Sequence, residues 1–115
     1  NYPKRRNIPI NDLNLAELKN LSFEKVDVKK FPSINLARIV LKTSGSLGVV
    51  FNAAKEIALD RFISKDIKFL DMSSLVEKVL YLPEMMEYEN NSLSTIDEIK
   101  LLNKRVRNIA QQLKI

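Results

Sequence analysis

Apolar residues recur at steps of three and four positions along most of the chain after Phe31. This spacing places them on one side of an α-helix. Pro32 suits the first turn of a helix, and Thr43-Ser44-Gly45-Ser46 ends the first such segment. The apolar face of this first helix is predicted to hold Ile34, Ala37, Val40 and Leu41.

A second helix is predicted from about Leu47 to Ser64. Its apolar face is predicted to hold Val50, Ala53, Ala54, Ile57, Ala58 and Phe62. Three of these six residues are alanines, whose small side chains let another backbone approach closely. The pattern predicts a buried helix and, by itself, no chemistry.

A third helix is predicted to follow Asp71 and Ser73, because Ser74-x-x-Glu77 has the spacing of a capping box and Pro83 stops the apolar run. Residues 84–91 are predicted to form a polar connection. Its larger apolar residues, Met85, Met86 and Tyr88, are expected to lie over the edge of the core.

The last helix is predicted to start at Ser94 or Thr95, where Thr95-x-x-Glu98 is a second capping box. Its apolar stripe holds Ile99, Leu102, Val106, Ile109 and Leu113, a pattern that packs on a helix bundle. Its opposite face is basic and carries Lys100, Lys104, Arg105, Arg107 and Lys114.

Residues 1–30 lack this periodicity. They contain Pro3, Pro9, the basic run Lys4-Arg5-Arg6 and scattered leucines, which together predict an extended arm. The segment 22–28 has the partial alternation of a short strand, although the chain offers it hardly any partner. The predicted fold is therefore all-α, with a linker arm over 1–30 and a small bundle of about four helices over 31–115.

The chain has 115 residues, which suits one domain with one modest core. It begins with Asn1 rather than Met, so we expect it to be a piece of a longer polypeptide. The absence of cysteine excludes disulfides and favours the cytoplasm, and no apolar run is long enough to span a bilayer. The net charge of +5 is interleaved with acidic residues and is typical of a solvated surface.

The residues offer little catalytic chemistry. No histidine or cysteine is present to activate a serine, to act as a nucleophile or to build a zinc site, and two glycines are too few for a phosphate-binding loop. Glu84, Glu87 and Glu89 cluster as a general acid and base would, but a polar connection favours plain solvated carboxylates. Asn52 and Glu56 lie one helical turn apart and are interpreted as ties between helix ends or loops.

Several motifs resemble the C-terminal domain of 1-deoxy-D-xylulose 5-phosphate (DXP) reductoisomerase. The strongest are Asn52-Ala53-Ala54-x-Glu56 and, after an apolar helix ending at Phe62, the turn Ile67-x-Phe69-x-Asp71. Further matches along the chain are Tyr2-Pro3-Lys4-Arg5, Leu21-x-Phe23-Glu24 with Asp27, Phe31-Pro32-Ser33-Ile34-x-Leu36-Ala37, Gly45, Arg107 and Ala110. The resemblance covers nearly the whole chain.

The sequence departs from the family pattern at four positions. Lys55 stands where the family usually has a second Asn, and Ser44 where it usually has Gly. Gly48 stands where Pro is frequent, and Asn103 where Asp is common. These departures indicate a divergent member with altered helix junctions.

The resemblance implies a parent enzyme that rearranges and reduces DXP to 2-C-methyl-D-erythritol 4-phosphate, with NADPH and a divalent cation (Mg or Mn), in isoprenoid biosynthesis. The family's catalytic, cofactor-binding and metal-binding residues lie upstream, so none is assigned to this chain. The expected partner is the catalytic domain of the same polypeptide, in a cytoplasmic homodimer.

The alternative hypothesis is a free-standing basic module that binds nucleic acid or an acidic protein. The basic run in the arm, Lys29-Lys30 and the last helix would supply its charge. Nucleic-acid binding is not favoured, because Phe31, Phe51, Phe62 and Phe69 stand at core-like positions instead of where bases could stack.

Overall fold

The computed structural model describes all residues except 1, 5, 8, 10, 12, 19 and 44. The described residues form five helices and no strand, which confirms the all-helical prediction. The helices are α1 (Pro32–Lys42), α2 (Leu47–Ile63), α3 (Asp71–Leu80), α4 (Pro83–Met86) and α5 (Ile96–Gln112). The short α4 begins one residue before the segment 84–91, which was predicted to be a polar connection, and overlaps its first three residues.

The second helix is the centre of the bundle, because α2 contacts each of the other four described helices. Val50, Ala53 and Ala54 are fully buried, and Ile57 and Ala58 belong to the same core. Five of the six predicted face positions are thus confirmed. The sixth, Phe62, was wrong: its side chain is 36% exposed, and the neighbouring Arg61 is buried in its place.

The buried side of α1 differs from the predicted one. Leu36 is its buried residue, whereas Ile34, Ala37 and Val40 are half-buried. Leu41 was predicted on the apolar face but is 83% exposed. Because each residue advances a helix by about 100°, Leu41 lies well over a quarter turn away from Leu36 and points to solvent.

The start of α3 was also predicted wrongly. The helix begins at Asp71, its N-cap residue is Leu70, and no side chain caps it, so the predicted capping box at Ser74 does not form. Instead the Asp71 carboxylate (Oδ2) accepts a hydrogen bond from the Lys68 backbone N–H at 2.8 Å. This turn buries Ile67 and starts the helix one turn earlier.

The connection after α3 contributes to the core. Pro83 opens α4 after α3 has ended at Leu80, and Met85 is fully buried instead of covering the core edge. Met86 and Tyr88 are half-buried. A single helical turn, set by Pro83, is enough to direct Met85 inward.

The capping box of α5 is confirmed. Thr95 Oγ1 accepts from the Glu98 N–H at 3.2 Å, and a Glu98 carboxylate oxygen accepts from the Thr95 N–H at 3.0 Å. The pKa of Glu98 is lowered by hydrogen bonds to its carboxylate. The largest effect comes from the Thr95 hydroxyl, and smaller effects come from the backbone N–H groups of Thr95 and Ser94. The buried stripe is Leu102, Val106 and Ala110, while the predicted Ile99 is partly exposed.

The described residues of the arm contain neither helix nor strand, so the strand proposed for 22–28 is wrong. Nearly all of them are exposed, and Phe23 is not among the described side chains that pack against the core of the bundle. The arm ends in a turn in which the Asp27 carboxylate accepts from the backbone N–H groups of Lys29 and Lys30. A domain boundary at Lys30 stays a prediction.

The junction between α1 and α2 is held by backbone contacts at Gly45 and Ser46; the preceding Ser44 lies outside the described residues. The N–H groups of Gly45 and Ser46 donate to the carbonyls of Glu89 and Asn91, both at 3.0 Å. A Cβ on Gly45 would lie 2.7 Å from the Glu89 carbonyl oxygen and 2.8 Å from the Asn91 nitrogen. Only glycine can occupy this position without moving the backbone.

We therefore expect Gly45→Ala to lower the free energy of unfolding by about 1–3 kcal/mol through overpacking. Gly48→Ala is the matched control, since the nearest atom to its added Cβ is 3.8 Å away and alanine favours a helix. Urea unfolding of both variants measures the difference. Equal midpoints for Gly45→Ala and the parent chain would contradict the close approach at this junction.

Candidate functional site

The family-like motif on α2 takes part in a polar network between α2 and α5. The Asn52 amide (Nδ2) donates to Glu56 Oε1 at 3.0 Å, and Glu56 Oε2 accepts from Arg107 Nη2. Arg107 Nε donates in turn to Asn103 Oδ1 at 2.9 Å. These four side chains thus join one turn of α2 to one turn of α5.

Asn52 and Glu56 have the structural role that was predicted for them, but they join the middle of α2 to the middle of α5 and not helix ends or loops. Glu56 is held by an amide and a guanidinium, and both ions of the pair are partly exposed, so the bridge adds little stability by itself. Asn103 uses its side-chain carbonyl oxygen as the acceptor. What the network fixes is the position of α5 along α2.

A second polar cluster surrounds Arg61, the buried charged residue of the described core. Its Nε donates to Asp66 Oδ2 at 2.6 Å. Its Nη1 donates to the backbone carbonyls of Ala110 and Leu113, both at 2.8 Å. These carbonyls are at the C-terminal end of α5, where the last C=O groups of a helix lack intrahelical donors. The Arg61 guanidinium supplies those donors, and its positive charge interacts favourably with the negative end of the helix dipole.

The chain after α2 bends so that Asp66 reaches Arg61. Lys65 has a left-handed backbone with φ of 64°. The Lys65 N–H donates to the Phe62 carbonyl and the Asp66 N–H to the Arg61 carbonyl, the two bonds of a Schellman motif. Lysine occupies the position that usually favours glycine.

Sequence reasoning missed Arg61. One signal was available: Arg61 follows Ile57 by four positions, so it continues the buried face of α2. Its carbonyl partners are about fifty positions further along the chain, and no local pattern reveals them.

The remaining predicted candidates form no catalytic assembly in the described part of the chain. Glu84 pairs with Arg105 at 2.8 Å, Glu87 is exposed and Glu89 is half-buried. Within that part, no group of three His, Cys, Asp or Glu side chains is placed to hold a metal ion. None of the described helices combines the length and apolar character that crossing a membrane requires.

An apolar groove of about 580 Å³ lies between α2, α3 and the end of the arm. Phe31, Leu59, Phe69 and Leu70 line it and remain about half or more exposed. At one end of this apolar surface, the rings of Phe62 and Phe69 meet edge to face at 5.8 Å. The bundle leaves this groove open to solvent.

These features define a small helical domain whose polar clusters hold helices together and whose exposed apolar groove is suited to contact another surface. The family model for the "DXP reductoisomerase C-terminal domain" matches residues 1–109. The chain therefore belongs to the C-terminal domain family of DXP reductoisomerase.

Individual relatives agree with this assignment. The chain is 40% identical over 112 residues to the 1-deoxy-D-xylulose 5-phosphate reductoisomerase of Cereibacter sphaeroides, and 37% identical over 110 residues to that of Jannaschia. These alignments cover 97% and 96% of the chain but 28% of each relative.

A solved structure shares the fold. The reductoisomerase of Zymomonas mobilis, in complex with NADPH, superposes with a TM-score of 0.75 at 32% identity. The superposition covers 95% of this chain and 28% of the Zymomonas chain. The matched region thus corresponds to about a quarter of the relatives' length.

The Arg61 cluster generates a stability prediction. Arg61→Met keeps most of the side-chain volume but leaves two helix-end carbonyls without a donor, so we expect the free energy of unfolding to fall by about 1–3 kcal/mol. Arg38→Met, on the exposed side of α1, is the control and should change it by less than about 0.5 kcal/mol. Denaturant unfolding compares them, and indistinguishable midpoints would show that Arg61 holds nothing together.

Proposed function

We propose that this chain supplies the C-terminal helical domain of a DXP reductoisomerase, which rearranges and reduces DXP to 2-C-methyl-D-erythritol 4-phosphate with NADPH. The observation that carries the proposal is agreement over nearly the whole chain, by family model and by fold. Isolated motifs would carry far less weight than their order over 109 matched residues.

Within that enzyme, the proposed role of the domain is to brace the catalytic domain. A catalytic site needs walls that hold substrate groups in register, and rigid packed elements provide them better than loops do. The core around α2 and the ties at Arg61 and Glu56 support this role, because they make the bundle a firm body. The arm over 1–30 would connect it to the catalytic domain.

NADPH and a divalent cation belong to the proposed parent enzyme. The complex of the Zymomonas relative with NADPH supports the nucleotide. The residues described here do not suit a phosphate cradle, since the N–H groups of Gly45 and Ser46 already donate to backbone carbonyls. No catalytic step is therefore assigned to this chain. The cation, homodimerisation and a cytoplasmic location stay predictions.

The alternative, a free-standing basic module, gains no support from these observations. Arg105 and Arg107 on the predicted basic face form ion pairs with Glu84 and Glu56, so part of its charge is neutralised. The prediction that Phe31 and Phe69 stand at core-like positions was wrong, because these side chains are 51% and 65% exposed. Both line the apolar groove.

The proposal is tested by NADPH oxidation with DXP and magnesium or manganese. The full-length polypeptide that carries this domain should oxidise NADPH in a DXP-dependent manner. The chain 1–115 alone should not exceed the rate without protein, because no nucleotide-binding residue is assigned to it. Failure of the full-length polypeptide, or turnover by residues 1–115 alone, would contradict the proposal.

A further inference from the structure

The groove between α2 and α3 is an unusual surface for a small domain. Large apolar side chains are normally scattered singly over a protein surface, whereas here Phe31, Leu59, Phe69 and Leu70 line one concavity. Leu70 is 74% exposed and Phe69 is 65% exposed. A concave apolar surface of this kind is characteristic of a docking site.

The position of the arm indicates what docks there. Lys29, Lys30, Phe31 and Pro32 line the groove, so the arm enters the domain at the groove's own edge. In the relatives, the residues that this chain does not match make up most of the polypeptide, and the matched part is a C-terminal domain. In the relatives, the part that precedes the matched region is therefore joined to the edge of this groove through an arm of about 30 residues.

Tethering makes the same polypeptide the favoured occupant. A flexible linker of about 30 residues spans about 30 Å on average, so it gives a linked segment an effective concentration of about millimolar order, far above that of a separate partner. Even a modest apolar contact would then be occupied most of the time.

The charged side chains at the groove indicate which chemical groups its occupant carries. Lys29, Lys30 and Lys55 line it, while Glu56 is already paired with Arg107 and Glu77 is the other carboxylate of the lining. The net charge left at the groove is therefore positive. Lys55, on α2, contributes part of this positive charge. An occupant with a carboxylate beside its apolar side chains would complement this rim.

From these observations we propose that an apolar segment of the catalytic part of the same polypeptide, flanked by at least one acidic side chain, occupies the α2–α3 groove. This inference rests on the proposed function. It identifies the surface through which the domain braces the rest of the enzyme, and it makes Lys55 a specificity residue of that contact.

The test uses cysteine accessibility in the full-length polypeptide. Residues 1–115 contain no cysteine, so a cysteine introduced there is assigned by peptide mass spectrometry without ambiguity. Leu70→Cys places the probe in the groove, and Leu101→Cys, on α5 outside the groove lining, is the matched control at 70% exposure. The alkylation rate of each folded variant is divided by the rate of the same variant in denaturant, which corrects for the intrinsic reactivity of its cysteine.

If the groove is occupied, Leu70→Cys should react about tenfold or more slowly than Leu101→Cys, because alkylation must wait for opening. The protection should persist on strong dilution. Lys55→Glu should reduce the protection severalfold through charge repulsion, whereas Lys104→Glu on α5 should leave it unchanged.

Equal alkylation of the two cysteines would overturn the proposal. Protection that disappears on dilution would overturn it in favour of a second copy of the polypeptide. An unchanged protection in the Lys55→Glu variant would overturn the acidic character of the occupant. DXP-dependent NADPH oxidation by the unmodified polypeptide, measured in parallel, reports separately whether the proposed function itself fails.

Discussion

The close packing of α2 is the constraint on which the rest of this structure depends. Every other described helix contacts α2, and Ala53 and Ala54 are completely buried where those neighbours approach. Small side chains at these positions let the surrounding helices lie near the α2 backbone, and a dense interior then leaves little room for adjustment. A larger residue here would displace several helices at once.

Both ends of α2 are held by contacts with distant parts of the chain. At its start, Gly45 and Ser46 bond to the backbone of residues 89 and 91. At its end, Arg61 bonds to the last carbonyls of α5. Many arrangements of the helices could bury the same apolar side chains, because apolar burial is not directional. The hydrogen bonds at the two ends of α2 select one of these arrangements, because their geometry is specific.

The features that could be predicted from the sequence are those that depend on neighbouring residues, such as helix starts and apolar helix faces. Pro32 and the Thr95 capping box marked the starts of α1 and α5, and apolar spacing identified most of the α2 face. It failed where distant contacts decide the outcome: Arg61 is buried because the end of α5 needs a donor. Asp71 starts α3 early, through a hydrogen bond to the turn before it. The groove was not predicted, since the residues lining it come from three separate segments.

The proposed bracing role rests on the same features of the chain. The proposal uses the helical bundle, the arm without helix or strand in its described residues, and the exposed apolar groove. The enzyme chemistry belongs to the larger protein in which such a domain is found.

Amide hydrogen exchange on residues 1–115 tests the central claim most directly, that one core around α2 folds as a unit while the arm takes its shape from other surfaces. Core helices exchange near the limit set by global unfolding, whereas segments with few buried contacts exchange quickly. We expect slow exchange over 53–62 and 102–109, and fast exchange through the described part of the arm. Protection of the arm equal to that of α2, in a monomeric sample, would contradict it.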